Sequence, residues 1–230
     1  MSELKCVNLI LIETSTSLCS VALSKGDEII AYRESSKPKA HASLTTPFVK
    51  EVLDEAGIGV KDCAGVCVSS GPGSYTGLRV GSSTAKGLCF GAGIPLFALS
   101  TMDILEQMGS DSGHFDYIVP MIDARRMEVY TATFAEGRQI EQTSPRIIES
   151  GSYTDLLDQG SVLFIGDGAR KCEDVISHPN AHFMECNPTA KAMAQKALRL
   201  YELGQKEDVA YFEPFYLKDF IATTSKKSLF

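Results

Sequence analysis

Apolar residues recur along this chain in unbroken or alternating runs, then at helical spacing, and the switches between the two patterns mark its elements. Residues 6–13 (Cys-Val-Asn-Leu-Ile-Leu-Ile-Glu) form an apolar run ending in an acid, which predicts a buried strand. The hydroxyl-rich turn Thr14-Ser15-Thr16-Ser17 leads to a second strand at Cys19–Ser24. Lys25-Gly26-Asp27 closes a hairpin, and Glu28–Glu34 predicts a third strand. From His41 to Ala56 the period changes: Leu44, Phe48, Val52, Leu53 and Ala56 recur at helical spacing, with Pro47 bending the helix or marking its first turn. Gly57 and Gly59 end it, and residues 63–69 return to strand. A glycine-rich helix follows, then a short strand at Ile94–Ala98 and a helix from Ser100 to Met108. Gly109-Ser110-Asp111-Ser112-Gly113 reads as a linker between a first domain, 1–109, and a second, 114–230, whose C-terminal segment is free to pack back on the first.

Beyond that point residues 117–122, 127–134 and 139–142 predict strands around a turn at Glu136-Gly137-Arg138. Residues 162–166 predict a buried strand, Asp167-Gly168 opens a helix, and Thr189–Gly204 is a helix with Met193, Ala197, Leu198 and Tyr201 on one side. Three strands precede the first helix, and a strand pair leads the second half. That order gives an α/β class and fits a doubly wound dinucleotide fold poorly.

Residues 69–93 carry the strongest local signal. Gly71 and Gly73 suit tight backbone geometry around Pro72, Ser74 is a good N-cap, and Thr76 adds a hydroxyl in the first turn. Gly77, Gly81 and Ala85 then share one helical face at spacing four, and Gly87 and Gly91 repeat that spacing further round. Each interior glycine costs roughly 1 kcal/mol of helix stability relative to alanine, so such a helix needs close packing to persist. It reads as a packing or docking device on a strand end.

At 230 residues with ordinary hydrophobic content the chain is long enough for two globular domains. A net charge of −7 argues against a broad electrostatic hold on nucleic acid, and Lys226 and Lys227 are too few to reverse it. The sequence has no apolar run long enough for a membrane span and no signal-peptide pattern at Met1–Val7, and its seven cysteines are an odd count, so a reduced cytoplasm is expected. Cys63 and Cys67 are expected to be buried thiols pointing to one face of a strand.

Three constellations are candidates for chemistry. The Gly-Pro-Gly loop before a helix could attract an anion, but Gly71, Gly73 and Gly77 miss the dinucleotide spacing by one residue and a Walker sequence is absent. Glu13 with Ser15 and Thr16 could cradle a phosphate and order Mg²⁺, or could simply be a capped turn. Asp123-Ala124-Arg125-Arg126 looks like an equivalent strand-end acid in the second half, where an arginine could face an anion or close an inter-domain ion pair. His178 and His182 sit at spacing four, but Pro179 and Asn180 between them point to a loop and not to a metal site.

Residues 12–23 (Ile-Glu-Thr-Ser-Thr-Ser-Leu-Cys-Ser-Val-Ala-Leu), 70–81 (Ser-Gly-Pro-Gly-Ser-Tyr-Thr-Gly-Leu-Arg-Val-Gly), 122–130 (Ile-Asp-Ala-Arg-Arg-Met-Glu-Val-Tyr) and Pro214-Phe215-Tyr216-Leu217 resemble the TsaB family, also called YeaZ. The resemblance implies an actin-like ATPase fold: two ribonuclease H-like lobes, each a mixed five-stranded sheet flanked by helices. It implies a part in forming threonylcarbamoyladenosine beside the tRNA anticodon, where the paralogue TsaD makes the transfer and the ATPase TsaE joins the assembly. The metal-binding His-x-x-x-His of TsaD falls on Thr101 and Leu105 here, the third ligand falls near Cys186-Asn187, and the second-lobe nucleotide glycines shrink to Gly166-Asp167-Gly168. The resemblance therefore implies a non-catalytic scaffold that needs no cofactor or metal. A weak hold on ATP or ADP with Mg²⁺ is left to a worn cleft of Glu13, Ser15, Thr16, Asp123, Arg125, Gly166 and Gly168. TsaD, or a second copy when the protein is alone, would dock on Leu44, Phe48, Val52, Gly77, Gly81 and Ala85, with tRNA reached through the complex. On this expectation Gly81→Leu abolishes the heterodimer and leaves the monomer folded. The rival expectation is a free-standing actin-like ATPase or small-molecule kinase using Glu13 and Asp123 around Mg²⁺ and ATP.

Overall fold

The computed structural model describes residues 4–217, so Lys226 and Lys227 lie outside the described residues. The chain runs β1 (Asn8–Glu13), β2 (Cys19–Lys25), β3 (Glu28–Ser35), α1 (His41–Ala56), β4 (Gly65–Gly71), α2 (Tyr75–Ala92), β5 (Leu96–Ser100) and α3 (Thr101–Ser112). The second half runs β6 (Tyr117–Asp123), β7 (Glu128–Ala135), β8 (Arg138–Ile147), α4 (Thr154–Leu157), β9 (Val162–Ile165), α5 (Arg170–Glu173), β10 (Ala181–Met184) and α6 (Ala194–Glu202). Two five-stranded sheets result, ordered β3-β2-β1-β4-β5 and β10-β9-β6-β7-β8. In each, three strands pair antiparallel and two join the first strand in parallel, so the halves repeat one mixed topology.

Both faces of the first sheet are covered, which is why β1 and β4 read as continuous apolar runs. Ile10, Ile12, Val66 and Val68 pack against Phe48, Val52 and Leu53 of α1 and Ala85 and Cys89 of α2. Leu9, Leu11 and Cys67 face the other way, against Ala190, Met193, Ala194 and Ala197. Cys63 joins the first of these cores and Cys67 the second, so the expected shared face does not hold, although both are buried free thiols.

The stretch expected to be a linker is the last turn of α3. Gly109 is buried there against the second sheet, where a Cβ would come within 2.9 Å of Ile118. Different faces of α3 serve different sheets: Ile104 belongs to the core beneath the first, Met102 and Leu105 to the core of the second. The α6 segment returns to cover the first sheet, and Lys196 ties the two crossing elements together. Its ammonium lies 2.6 Å from Glu106 Oε2 and 3.2 Å from Asp103 Oδ1. Residues 207–216 then run along the first lobe. Glu207 N–H donates to the Leu96 carbonyl, Lys86 Nζ donates to the carbonyls of Ala210 and Phe212, and Phe215 N–H donates to Ser70 O at 2.7 Å. None of the described helices is long and apolar enough to cross a membrane.

Candidate functional site

Glu13 ends β1 with no exposed surface, and Thr14, Ser15 and Thr16 behind it are buried as well. The Gly-Pro-Gly loop and the start of α2 cover this turn. Ser74 N–H donates to the Ser15 carbonyl at 2.6 Å, and the Ser74 side chain caps α2 by accepting from Gly77 N–H. Glycine is required where the two elements meet. A Cβ on Gly73 would run into the Ser15 carbonyl, one on Gly77 into the Thr14 carbonyl, and one on Gly81 into Thr14 Oγ1. Ser15 N–H donates to Glu13 Oε1 at 2.8 Å, while Glu13 Oε2 and the hydroxyls of Thr14, Ser15 and Thr16 have no hydrogen-bond partner among the described residues. Burial pushes the Glu13 carboxyl up to about 7, against the opposing pull of the dipoles at Ser15 and Ser69.

A carboxyl whose folded pKa is raised favours the fold while it is protonated and opposes it once ionised. Stability is therefore lost as pH rises from the unfolded value, near 4.5, through about 7. Glu13→Gln removes this titration. Its stability relative to the parent is expected to improve by about 3 kcal/mol between pH 4.5 and pH 8, read by urea unfolding across that range. A constant difference across the range would show that Glu13 does not titrate there.

The expected docking face is turned inward. Phe48, Val52 and Ala85 are core residues, Gly77 and Gly81 are buried against the β1–β2 turn, and Leu44 is only half-buried beside them. These side chains hold the lobe together and are not a surface. The outward face of α2 carries Arg79, Ser83, Gly87, Phe90 and Gly91 instead. Phe90 is 86% exposed, and a Cβ on Gly87 or Gly91 would meet nothing within 4 Å.

At the matching edge of the second sheet, Asp123 ends β6. Lys171 Nζ pairs with its carboxylate and also donates to the Glu128 carbonyl at 2.6 Å, while Arg125 N–H donates to Asp123 Oδ1 at 2.9 Å. These partners hold the Asp123 carboxyl below its ordinary value against some burial. Asp167 Oδ1 accepts the Asp123 N–H at 2.9 Å, and burial pushes its own carboxyl up. Gly166 and Gly168 are packing glycines: a Cβ on Gly166 would strike the Met121 carbonyl, and one on Gly168 would lie 3.0 Å from Val129. So the residues expected to line a nucleotide cleft sit at two equivalent strand ends, but Glu13, Ser15, Thr16, Gly166 and Gly168 are enclosed by their own lobes. Only Asp123 and Arg125 are exposed.

Among the described residues no group of three His, Cys, Asp or Glu could hold a metal. Thr101 and Leu105 are buried in α3, and His182 of β10 lies tilted against the Phe115 ring, centroids 5.4 Å apart. Sequence reasoning missed the brace from Lys171, which is 48 residues from Asp123, and left open whether the C-terminal segment packs back on the first lobe, where residues 207–216 form a strap. The Pro-Phe-Tyr-Leu motif was the available signal for the latter: the Tyr216 ring is tilted against Tyr75 of α2, with centroids 4.6 Å apart, and the Arg79 guanidinium lies 4.2 Å from the Tyr75 centroid.

The family described as "TsaD: tRNA N6-adenosine threonylcarbamoyltransferase" matches residues 30–226. The chain is 35% identical to the tRNA threonylcarbamoyladenosine biosynthesis protein TsaB of Haemophilus influenzae, covering 93% of this chain and 94% of that one. Among solved structures, YeaZ from Pseudomonas aeruginosa superimposes with a TM-score of 0.82 at 26% identity, covering 92% of this chain and 100% of that one. An activator of 2-hydroxyisocaproyl-CoA dehydratase from Clostridium difficile, solved with ADPNP, matches with a TM-score of 0.51 at 10% identity over 86% of this chain and 96% of that one, a likeness of fold alone. Two mixed five-stranded lobes with these neighbours are the actin-like α/β fold, and the chain belongs to the TsaB (YeaZ) family, paralogous to TsaD.

Proposed function

We propose that this chain is the TsaB-type subunit of tRNA threonylcarbamoyladenosine synthesis, which docks on a TsaD-type transferase and supports its reaction without catalysing a step itself. The observation that carries the docking is the outward face of α2, where two interior helical glycines have open space around them. Glycine inside an exposed helix face costs stability and gains nothing within the monomer. Its use is to let a second helix approach closely, with Phe90 as an apolar anchor beside it. A second copy would occupy the same face when the protein is alone, and a TsaE-type ATPase would join the assembled pair.

The free-standing ATPase reading needs two accessible carboxylates. Glu13 has no exposed surface, and the Asp123 carboxylate is bridged by Lys171. Neither arrangement favours Mg²⁺ as found. Any hold on ATP or ADP would require the Gly-Pro-Gly loop to lift from the turn.

Light scattering on the purified chain, alone and mixed with the TsaD-type protein of the same source, tests the proposal. A mixed species that forms at the expense of a homodimer is the expected outcome. Two independent peaks, with ATP and the TsaE-type ATPase also present, would sink it.

A further inference from the structure

Five non-glycine residues among those described have left-handed φ angles, and three of them are exposed cations: Lys39 at 59°, Arg125 at 74° and Arg126 at 52°. This conformation is disfavoured for any residue that carries a Cβ and normally goes to glycine or asparagine. They sit on two different connections, the arginines between two strands and Lys39 between a strand and a helix. Arg125 and Arg126 form the β6–β7 connection, closed by Glu128 N–H donating to Arg125 O. Lys39 follows β3, which runs parallel to β1 and so ends at the Glu13 edge of its sheet; His41 Nε2, next to it, lies 3.0 Å from the Thr16 carbonyl. The two edges adjoin, since the Ser17 hydroxyl donates to Asn187 Oδ1, just past β10, at 3.2 Å.

We propose that Lys39, Arg125 and Arg126 form a cationic rim that contacts the phosphate backbone of RNA, a role that rests on the tRNA-modification reading above. Strained turns persist where surrounding structure fixes them and the exposed group is useful. Here Lys171 fixes the arginine turn through Asp123 and the Glu128 carbonyl, and neither guanidinium closes an ion pair or a side-chain hydrogen bond among the described residues. Of the acids on these edges, Asp123 is engaged by Lys171 and also feels the Arg125 charge, Asp167 accepts from the Asp123 amide, Glu173 pairs with Arg170 and Glu34 accepts from the Tyr32 hydroxyl, while Glu185, two residues from Asn187, is exposed. A free mononucleotide is a poorer fit. Its phosphates need backbone amides and small residues to nestle against. At these turns the Ser74 and Arg125 amides already donate within the protein, and the hydroxyls of Thr14 to Thr16 are covered. Side-chain point charges on a rim suit a chain of phosphates instead. They also suit an acidic protein that makes a few local contacts with RNA and no broad ones.

The test is Arg125→Asn with Arg126→Gly, residues that accept left-handed angles. The double variant is expected to melt about 2–4 °C higher than the parent, since strain is relieved, which keeps folding out of the reading. Fluorescence anisotropy with full-length tRNA is measured against salt, for the chain mixed with the TsaD-type protein and for the chain alone. Removing two phosphate contacts should lower the slope of log K against log salt by about 1.5–2 and weaken binding about tenfold at moderate salt. ATP in millimolar excess should not reproduce that loss; competition by ATP that vanishes in the variant would make a free nucleotide the ligand and overturn the RNA assignment. An unchanged slope in both samples also overturns it. Failure of the mixed complex to form counts against the docking proposal alone, because the arginines are still read on the isolated chain.

Discussion

Leucine at both Gly87 and Gly91 is expected to abolish the mixed species with the TsaD-type protein while the monomer stays folded and melts no lower than the parent. A Cβ at either position would meet nothing within 4 Å beyond the neighbouring backbone of its own helix. Replacing an exposed helical glycine by leucine gains on the order of 0.5–1 kcal/mol of helix propensity per site. The new side chains stand where a facing helix has to come close, and filling such a seam costs an interface several kcal/mol. Size-exclusion chromatography with light scattering reads the association, and thermal melting reads the fold. Retained complex formation would place the partner surface elsewhere on the molecule. Phe90→Ala, which removes the 86%-exposed ring, is the milder companion and is expected to weaken association without abolishing it.

The strand ends, the hairpins and the span of α1 were legible because each is written locally: a buried run, a turn sequence, a helical period. Ser74 was legible as a cap for the same reason. What the glycine spacing could not show is direction. Gly77 and Gly81 face the β1–β2 turn, whereas Gly87 and Gly91 lie roughly a quarter to a third of a turn round the helix and face outward. Spacing four identifies a smooth face, and only tertiary packing decides whether the smooth face is inside or outside. The same limit explains α3. Gly109 and Ser110 resemble a linker in isolation, but the contact of Gly109 with Ile118 and the bond from Ser110 to Glu106 carry the helix through them. β10 was missed because its four residues are only partly buried and lie beside turn formers. The pairing of Asp123 with Lys171 bridges 48 residues, across β7, β8, α4 and β9, and has no local signature.

Gly77 and Gly81 therefore give a sharper test than either would as an interface residue. Gly81→Leu, expected from the sequence to spare the monomer, is here expected to unfold it or to cost more than about 4 kcal/mol, because the side chain would be driven into Thr14 and Val68. Alanine separates the two glycines. At Gly81 the obstacle is one atom, Thr14 Oγ1; the next contacts, Val68 Cγ2 at 3.4 Å and Thr14 Cβ at 3.5 Å, are ordinary packing distances. That hydroxyl has no hydrogen-bond partner among the described residues, so deleting it leaves nothing newly unsatisfied. Gly81→Ala should cost roughly 1–3 kcal/mol alone and be restored to near the parent by Thr14→Ala, a non-additivity of similar size. At Gly77 the obstacle is the Thr14 carbonyl itself, part of the backbone. Gly77→Ala should cost at least as much, and Thr14→Ala should not rescue it. Chemical denaturation of the five variants decides the matter: equal rescue at both sites, or no cost at either, would mean that α2 does not rest on the β1–β2 turn through these glycines.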